Sequence, residues 1–293
     1  ILSTNVAETS VTISGIRYVV DCGFFKCRLM ETATGMEMLK VTPVSQAQAN
    51  QRAGRAGREA PGKCFRVFPE LAFEELRKSS VPEIQRVSVT QVMLQLLDIG
   101  IKDPKTFPYP SPPSESSITK AGRDLLHLGA VDASGKLTVM GKKMASLPLE
   151  PVYAALLLLS AEEKYGCVKE MLTVVSMLSA DNVLLMPHRE ADKQAASRAH
   201  KALASAEGDI PTLLNIFIAW GYSRKSMEWA SQHYLSQRAL LTAANIREQL
   251  CSLLSKLHHI DVSVSCWPDE KSNYRKYLTA GLCLQVAQKN NTK

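Results

Sequence analysis

The feature that most constrains the fold of this chain is a change in its hydrophobic pattern close to Pro82. Before Pro82, short β-branched or alternating runs predict strands, as in the IRYVVD run at Ile16–Asp21. After it, apolar residues recur at helical spacing, and the stretch from 151 to 260 is almost wholly helical in its pattern. The sequence therefore predicts a multidomain fold in which an α/β part is followed by an α part.

The α/β part has the pattern of a strand, a hairpin, a helix and a further strand. The predicted spans are Ile16–Asp21 for a buried strand, Cys27–Glu31 with Met36–Val44 for the hairpin, Ala47–Ala53 for the helix and Lys63–Phe68 for the last strand. Gly35 is the predicted hairpin turn, and Ser45 is placed to cap the helix.

The region that follows predicts a small winged-helix module. Apolar residues from Ile84 to Leu97 suit one side of a helix, and the stretch Pro104–Ser117, rich in proline and serine, marks a domain seam. The module itself consists of a helix at Lys120–Leu128 stopped by Gly129, a turn at Ser134–Gly135, a short LTV strand at 137–139 and a helix at Gly141–Ser146.

Four apolar periodic runs predict a helical bundle, at Ala154–Leu159, Met171–Leu178, Thr212–Trp220 and Leu240–Leu257. Asp209 is predicted to cap the helix of the third run. Pro211 falls in the first turn of that helix, where a missing amide costs little.

The segment QRAGRAGR, at Gln51–Arg58, is the first place to look for chemistry. Arg52, Arg55 and Arg58 recur at a spacing of three, and a guanidinium can hold two phosphate oxygens at once. Gly54 and Gly57 remove side chains that would block a close approach. The alternative is a basic surface helix, but each glycine costs about 1 kcal/mol relative to alanine inside a helix.

Composition limits the remaining possibilities. The net charge of +7 is compatible with a polyanionic partner without requiring one. Seven scattered cysteines include no CxxC pair, so neither a disulfide framework nor a zinc site is expected, and most should be buried thiols in a reducing compartment. The histidines follow no metal-ligand pattern, so no metal site is predicted. The longest apolar run is far below the about 18–20 residues that span a bilayer, so no membrane partner is expected.

A second segment, STNVAETSVTI at Ser3–Ile13, precedes the arginines. Together the two resemble motifs V and VI of superfamily 2 helicases, specifically the DEAH-box/RHA group of RNA helicases. The resemblance extends over essentially the whole chain, through KCFRVF at Lys63–Phe68, VPEIQR at Val81–Arg86, PLEP at Pro148–Pro151 and EGD at Glu207–Asp209.

The resemblance implies a domain order. It assigns 1–70 to the C-terminal part of the second RecA-like domain, 71–147 to a winged-helix domain, 148–262 to a helical ratchet bundle and 263–293 to the start of an OB-like domain. It also implies that the chain is the C-terminal half of a longer protein and that this half alone does not hydrolyse ATP.

The resemblance also implies residue roles. Arg55 and Arg58 would reach the γ-phosphate of ATP as arginine fingers, while Gln51 helps to place the attacking water. Arg52 would pack or contact the ribose side, with a salt bridge inside its own domain as the alternative. Thr4 would bond an RNA phosphate and Ser10 would sense the γ-phosphate, although both hydroxyls could be turn caps.

Two further regions are expected to lie beside RNA. The hairpin tip Glu31–Thr34 would act as a steric wedge, because it is not strongly basic. Arg238 is a candidate RNA contact, with a solvated or paired arginine as the alternative.

The implied activity is ATP-dependent remodelling of RNA or RNA–protein complexes in splicing or ribosome biogenesis. ATP and Mg²⁺ would be held mainly by the first RecA-like domain, and a glycine-patch activator and a ribonucleoprotein complex are the implied partners. The implied location is the nucleus, in the nucleoplasm or nucleolus, with the cytoplasm as a further site. The alternatives are a non-catalytic RNA-binding adaptor that keeps the helicase scaffold, and a DNA helicase of similar layout.

Overall fold

The computed structural model describes residues 1–30, 37–162, 164, 166–266 and 271–282. It contains two compact units, the first formed by Ile1–Val89 with Lys105–Ala121 and the second by Thr90–Pro104 with Gly122–Lys293. The first unit thus takes in part of the region predicted as winged helix, and the second holds the rest of that region together with the helical bundle.

Two small sheets form the β structure of the first unit. Strand β1 (Tyr18–Asp21) pairs in parallel with β4 (Lys63–Arg66), and β2 (Phe24–Met30) pairs antiparallel with β3 (Glu37–Pro43). The predicted hairpin is therefore confirmed. Its predicted turn at Gly35 and tip at Glu31–Thr34 lie outside the described residues.

The prediction of a buried first strand is wrong for one face of β1. Tyr18 and Val20 are 69% and 70% exposed, whereas Asp21, which points to the other face, is buried. Successive side chains of a strand alternate between faces, and the Arg52 side chain packs against the face that holds Asp21. An apolar run therefore marks a strand correctly without establishing that both of its faces are covered.

Helix α2 (Gln46–Gly54) begins at the predicted cap. The Ser45 hydroxyl oxygen accepts from the Gln48 amide at 3.2 Å, and the Gln48 side-chain oxygen accepts from the Ser45 amide at 3.0 Å. This reciprocal capping box satisfies two amides that a helix leaves unpaired. The chain continues from the end of α2 into a single 3₁₀ turn at Arg55–Gly57. The unit is completed by α1 (Val6–Thr9) and α3 (Glu70–Glu75).

The winged-helix region largely follows its predicted order. Its helices are α4 (Thr90–Asp98), α5 (Glu115–His127) and α6 (Val139–Ala145). Gly129 ends α5 with a φ of +70°, a conformation that favours glycine. The LTV strand is reduced to a single bridge between Val131 and Leu137. The Thr138 hydroxyl instead accepts from the Gly141 amide at 3.0 Å, so Thr138 caps α6 and ends the strand.

Seven helices of the second unit lie within its described residues after 150: α7 (Pro151–Leu159), α8 (Val168–Ser179), α9 (Glu190–Leu203), α10 (Asp209–Tyr222), α11 (Met227–Gln232), α12 (Gln237–Leu257) and α13 (Lys271–Gly281). Helix α8 packs against both α10 and α12. The interior includes Leu156, Met171, Leu214 and Trp220, which are fully buried. All four predicted helical runs are confirmed, while α9 and α11 had not been singled out.

One predicted cap in this bundle is wrong. The N-cap of α10 is Gly208, with a φ of +114°, and Asp209 is already the first helical residue. The Thr212 hydroxyl donates to the Gly208 carbonyl at 2.8 Å and accepts from the Ser205 amide at 2.9 Å. Pro211 does lie in the first turn, as predicted.

The segment predicted to open an OB-like domain contains a helix in its described part. Tyr277 of α13 is fully buried, and α13 packs against α7 so closely that a Cβ at Gly281 would meet the Leu156 side chain at 2.2 Å. Residues 283–293 lie outside the described part, and the OB-like assignment stays a prediction.

The cysteines correct a further expectation. Cys167 and Cys266 form a disulfide bond across a sequence separation of 99 residues. The fold brings them together, and their spacing alone could not have shown it. The free cysteines of the described part are Cys22, Cys27, Cys64 and Cys251. No helix in that part of the chain combines the length and apolar content needed to cross a bilayer.

Candidate functional site

The three arginines of the QRAGRAGR segment all contact the segment 3–13. Arg52 Nε lies 3.0 Å from Glu8 Oε2, Arg55 Nη2 donates to the Glu8 carbonyl, and Arg58 Nη1 donates to the Thr12 hydroxyl. Residues three apart lie on neighbouring positions of a helical turn, so α2 and the 3₁₀ turn can direct all three toward one partner. The spacing therefore joins the two motif segments into one site.

Arg52 is committed to a buried network. Its Nη1 lies 2.7 Å from Asp21 Oδ1 and donates to the Phe24 carbonyl at 3.2 Å, and its side chain is only 14% exposed. Burial lowers the pKa of Arg52, but hydrogen bonds to Asp21 and Glu8 outweigh it and leave the pKa above its ordinary value. The salt bridge within its own domain, the predicted alternative, is what the structure shows. A ribose contact by Arg52 stays a prediction.

Arg55 differs from Arg52 because part of its guanidinium is unused. Nη1 is buried and has no hydrogen-bond partner among the residues that the structure describes. A buried donor without a partner costs about 1–3 kcal/mol, so such atoms are rare and call for an explanation. The Arg55 head group is thus available to a ligand that offers an oxygen.

A cavity of about 470 Å³ lies beside the arginines in the first unit. Arg52, Arg55, Arg58 and Thr4 line it, together with Lys26 from β2. The two carboxylates of its lining, Glu8 and Asp21, both pair with Arg52. The described residues show no ion pair for Lys26, Arg55 or Arg58, so the cavity has a positive excess that suits an anion.

Of the three other predicted site residues in the first unit, Thr4 lines the cavity, whereas Ser10 and Gln51 do not. The Thr4 hydroxyl accepts weakly from the Val6 amide at 3.5 Å, at the start of α1. Ser10 follows the end of α1, with its hydroxyl 3.4 Å from that of Thr9, and it lies outside the cavity lining. Gln51 is exposed on α2 and is likewise outside the lining. The structure therefore brings Thr4, but neither Ser10 nor Gln51, to the cavity with the arginines.

Arg238 belongs to the other compact unit. It is the second residue of α12 and is exposed, and its carbonyl accepts from the Thr242 hydroxyl at 3.0 Å. In the part of the chain that is described, no carboxylate pairs with its side chain. A contact with RNA stays a prediction.

Three residues of the site had not been singled out from the sequence: Glu8, Asp21 and Lys26. Asp21 carried a usable signal, because it ends an apolar strand, and the carboxyl ends of parallel strands are where such folds place their sites. Glu8 and Lys26 carried no signal of their own, since one acidic residue within the segment 3–13 and one lysine just before the predicted hairpin are ordinary surface features.

Two models of helicase-associated regions match the chain. The model of the winged-helix helicase-associated domain (HA2) matches residues 118–149, and the model of the ratchet-like helicase-associated domain (HA2) matches residues 150–213. The predicted winged-helix and ratchet regions are thereby confirmed over these residues.

Curated relatives match almost the full length of the chain. A probable ATP-dependent RNA helicase DHX35 of Homo sapiens is 44% identical over 257 residues, covering 87% of this chain and 36% of the relative. A DHX35 homolog of Caenorhabditis elegans is 40% identical over 293 residues, covering 100% of this chain and 40% of the relative. The pre-mRNA-splicing factor ATP-dependent RNA helicase prp22 of Schizosaccharomyces pombe is 42% identical over 264 residues, covering 90% of this chain and 22% of the relative.

The chain thus spans between 22% and 40% of the length of these relatives. The match to the Caenorhabditis elegans homolog covers the whole chain, so it includes the segment 3–13, the QRAGRAGR segment and both helicase-associated regions. On these matches, the chain belongs to the DEAH-box/RHA family of superfamily 2 helicases.

Proposed function

We propose that the complete protein is an ATP-dependent RNA helicase that remodels RNA or RNA–protein complexes by coupling ATP hydrolysis to RNA movement. The observation that carries the proposal is the buried, unpartnered Nη1 of Arg55 beside a positively charged cavity. The names of the relatives support it, since each includes ATP-dependent RNA helicase.

The arginines suit the chemistry of phosphoryl transfer. Negative charge spreads over the oxygens of the transferred phosphoryl group, and an arginine that meets it contributes about 10³–10⁵ in rate. Arg55 can bond a phosphate oxygen through Nη1 without giving up its bond to the Glu8 carbonyl. Arg58 can bind a phosphate by giving up its hydrogen bond to the uncharged Thr12 hydroxyl. A Cβ at Gly54 or Gly57 would meet nothing within 4 Å, and neither glycine lines the cavity, so the proposal rests on the arginines alone.

ATP and Mg²⁺ need more than this cavity. Because Glu8 and Asp21 both pair with Arg52, we place Mg²⁺ mainly on the first RecA-like domain, as the family resemblance implies. In that arrangement the present chain supplies cations to the phosphate, while Gln51 helps to orient water. Mg²⁺ would neutralise charge on the β- and γ-phosphates.

Coupling between ATP and RNA follows from the contacts of the two motif segments. Arg55 and Arg58 hydrogen-bond to Glu8 and Thr12 of the segment 3–13. A phosphate that binds these two arginines therefore changes the contacts that position the segment. We propose that Thr4 bonds an RNA phosphate and that Ser10 responds to the γ-phosphate, so that the segment transmits the change. Phosphate contacts carry no sequence information, so little base preference is expected.

The remaining domain assignments extend the same proposal. Residues 1–70 form the C-terminal part of the second RecA-like domain, which is supported by the parallel pairing of β1 with β4 and by the helix between them. Residues 263–293 begin the OB-like domain. Arg238, exposed on α12, contributes an RNA contact in the ratchet bundle.

The names of the relatives also bear on the cellular role. A relative named as a pre-mRNA-splicing factor favours splicing over ribosome biogenesis, and hence a nuclear location. A ribonucleoprotein complex is the proposed substrate and a glycine-patch protein the proposed activator.

The test is RNA-stimulated ATP hydrolysis by the complete protein. Arg55→Ala and Arg58→Ala should each lower kcat by about 10³ or more, because the developing charge loses its arginine. Arg77→Ala is the matched control, since Arg77 is exposed in the same unit and outside the cavity lining. Normal turnover in both variants would refute the assignment. RNA binding without ATP hydrolysis in the unaltered protein would favour the adaptor, and equal stimulation by DNA would favour a DNA helicase.

A further inference from the structure

A short segment, Val264–Cys266, docks on the N-terminal end of α8. The Lys169 amide donates to the Val264 carbonyl at 2.9 Å. The Glu170 carboxylate accepts from the Ser265 hydroxyl through Oε1 and from the Cys266 amide, at 3.3 Å, through Oε2. The disulfide bond between Cys167 and Cys266 closes this docked segment onto the helix.

The junction lies in the protein interior. Cys167 is fully buried, and Glu170 and Cys266 are 4% and 7% exposed. A buried carboxylate is retained where its oxygens have partners, and both oxygens of Glu170 have one here. The docking therefore does not depend on the sulfur–sulfur bond alone.

The same geometry also accommodates the reduced form. Cys266 Sγ lies 3.7 Å from Glu170 Oε2, within the range in which a thiol can donate to a carboxylate. When the disulfide bond is broken, the Cys266 thiol has an acceptor already in position. The two sulfurs also remain close, because the amide contacts of Lys169 and Cys266 fix the backbone on both sides.

The other cysteines argue against a permanent disulfide framework. In the described part of the chain this is the sole disulfide bond, and the free thiols include the exposed Cys22. Proteins of oxidising compartments seldom keep exposed free thiols, whereas single disulfides in reducing compartments are typically transient and redox-sensing.

We propose that Cys167 and Cys266 form a reversible redox clamp that fixes the segment Val264–Cys266, and with it α13, to the helical bundle. The proposal concerns the second unit and does not rest on the proposed ATP site. Cys266 lies five residues before α13, and α13 is anchored in turn by its buried Tyr277. Oxidation would thus hold both ends of this connection against the bundle, and reduction would leave the Val264–Cys266 end without its covalent bond to Cys167.

The oxidant is a low-molecular-weight disulfide of the glutathione class. The thiolate of one cysteine attacks a sulfur of the oxidant, forming a mixed disulfide and releasing one thiolate of the oxidant. The second cysteine thiolate then attacks the protein sulfur of that mixed disulfide, which forms the Cys167–Cys266 bond and releases the second thiolate. The two protons lost by the cysteines are taken up by the two released thiolates, so the protein loses two electrons and the oxidant gains them.

The first experiment measures the redox equilibrium of the purified protein. Samples are equilibrated in glutathione buffers of graded composition, quenched with acid and alkylated, and the cross-linked and alkylated peptides are counted by mass spectrometry. The measured quantity is the ratio of cross-linked to reduced protein. This ratio should rise by about tenfold for each tenfold rise in the concentration of oxidised glutathione divided by the square of that of reduced glutathione. A bond that persists in excess reduced glutathione, or that never forms, would overturn the proposal.

The second experiment asks whether the bond clamps the structure. Reduction should raise amide exchange rates in 264–266 and 271–282 by about tenfold or more, because opening is no longer limited by the cross-link. Cys167→Ser should show the fast rates in both buffers. Cys251→Ser is the matched control, since it removes a half-buried thiol of α12 and should respond like the unaltered protein. Exchange that is insensitive to reduction would refute the clamp.

A metal site is the competing chemistry for these residues. The ligand atoms of Cys167, Glu170 and Cys266 all lie within 4.8 Å of one another. The reduced protein is therefore titrated with Zn²⁺ alone. One-to-one binding that is lost in Cys167→Ser and that blocks disulfide formation would replace the redox clamp by a zinc site. Absence of such binding supports the clamp.

Discussion

Arg52 and Asp21 form a buried ion pair in which the guanidinium Nη1 lies 2.7 Å from the carboxylate Oδ1. The same oxygen accepts from the Gly23 amide at 2.9 Å, just after β1 ends. Since Arg52 also pairs with Glu8, one side chain of α2 ties together α1, α2 and the end of β1. This arginine is structural, and its neighbour Arg55 is the one with an unused donor.

Removing one member of this buried pair should destabilise the first unit. Arg52→Ala leaves two buried carboxylates without their cation, and breaking such a pair typically costs about 3–5 kcal/mol. Amide exchange of β1 and β4 measures the free energy of unfolding of this unit. Arg52→Lys should recover only part of the loss, because an ammonium group cannot reproduce the forked contact with both carboxylates.

Arg77→Ala serves as the control for this prediction, because Arg77 is exposed and should change the free energy of unfolding by less than about 0.5 kcal/mol. If Arg52→Ala proved as stable as the unaltered protein, Arg52 would not be structural, and its predicted contact with ATP would regain support.

The cap of α2 gives a second prediction. Ser45→Ala should lower the free energy of unfolding by about 1 kcal/mol, since the Gln48 amide loses its acceptor. Gln48→Ala removes the other half of the capping box, and the double variant should lose less than the sum of the two, because each bond supports the other.

Urea unfolding followed by far-ultraviolet circular dichroism measures these losses. Ser79→Ala, at an exposed serine of the same unit, is the control. Strictly additive losses would show that the two halves of the box act independently.

The capping box and the Arg52 network illustrate what could be predicted from the sequence. Ser45 and Gln48 are three residues apart, so local chemistry alone identifies the cap. The partners of Arg52 lie 44 and 31 residues away, and only the folded chain shows which carboxylates it meets. Periodicity located the strands of the first unit and the helices of the four apolar runs for the same local reason, but it missed α9.

The features that were predicted wrongly or missed have two different physical causes. The LTV run was predicted as the strand of a winged-helix module, but the Thr138 hydroxyl caps a helix instead, and capping depends on the turn that follows. The Cys167–Cys266 bond depends on contacts across 99 residues. Within the site, the arginines were predictable from their spacing, whereas Glu8 and Lys26 became recognisable only through the cavity.

A pH-dependent contact involves His258, whose Nε2 lies 3.0 Å from the Ser146 hydroxyl. Burial lowers the pKa of His258, with further lowering by the charges of Lys143 and His259. Because the folded protein favours the neutral imidazole, this contribution to stability is complete above the unfolded pKa of about 6.5 and is lost as the pH falls through the folded value.

We therefore expect His258→Gln to flatten the dependence of the free energy of unfolding on pH just below about 6.5. Urea unfolding at a series of pH values measures this slope. His188→Gln, at an exposed histidine of the same unit, should leave the slope unchanged. An identical slope in His258→Gln and the unaltered protein would show that this histidine does not contribute to it.

The last prediction concerns Trp220 and Tyr222, two aromatic residues near the end of α10 with opposite environments. Trp220 is fully buried and donates through Nε1 to Gln237 Oε1 at 3.1 Å, while Tyr222 is 86% exposed. Trp220→Ala should lower the free energy of unfolding by about 3–5 kcal/mol, because it removes packing contacts and leaves a cavity. Tyr222→Ala should change it by less than about 0.5 kcal/mol. Urea unfolding followed by circular dichroism distinguishes the two, and equal losses would contradict the assignment of Trp220 to the core of the bundle.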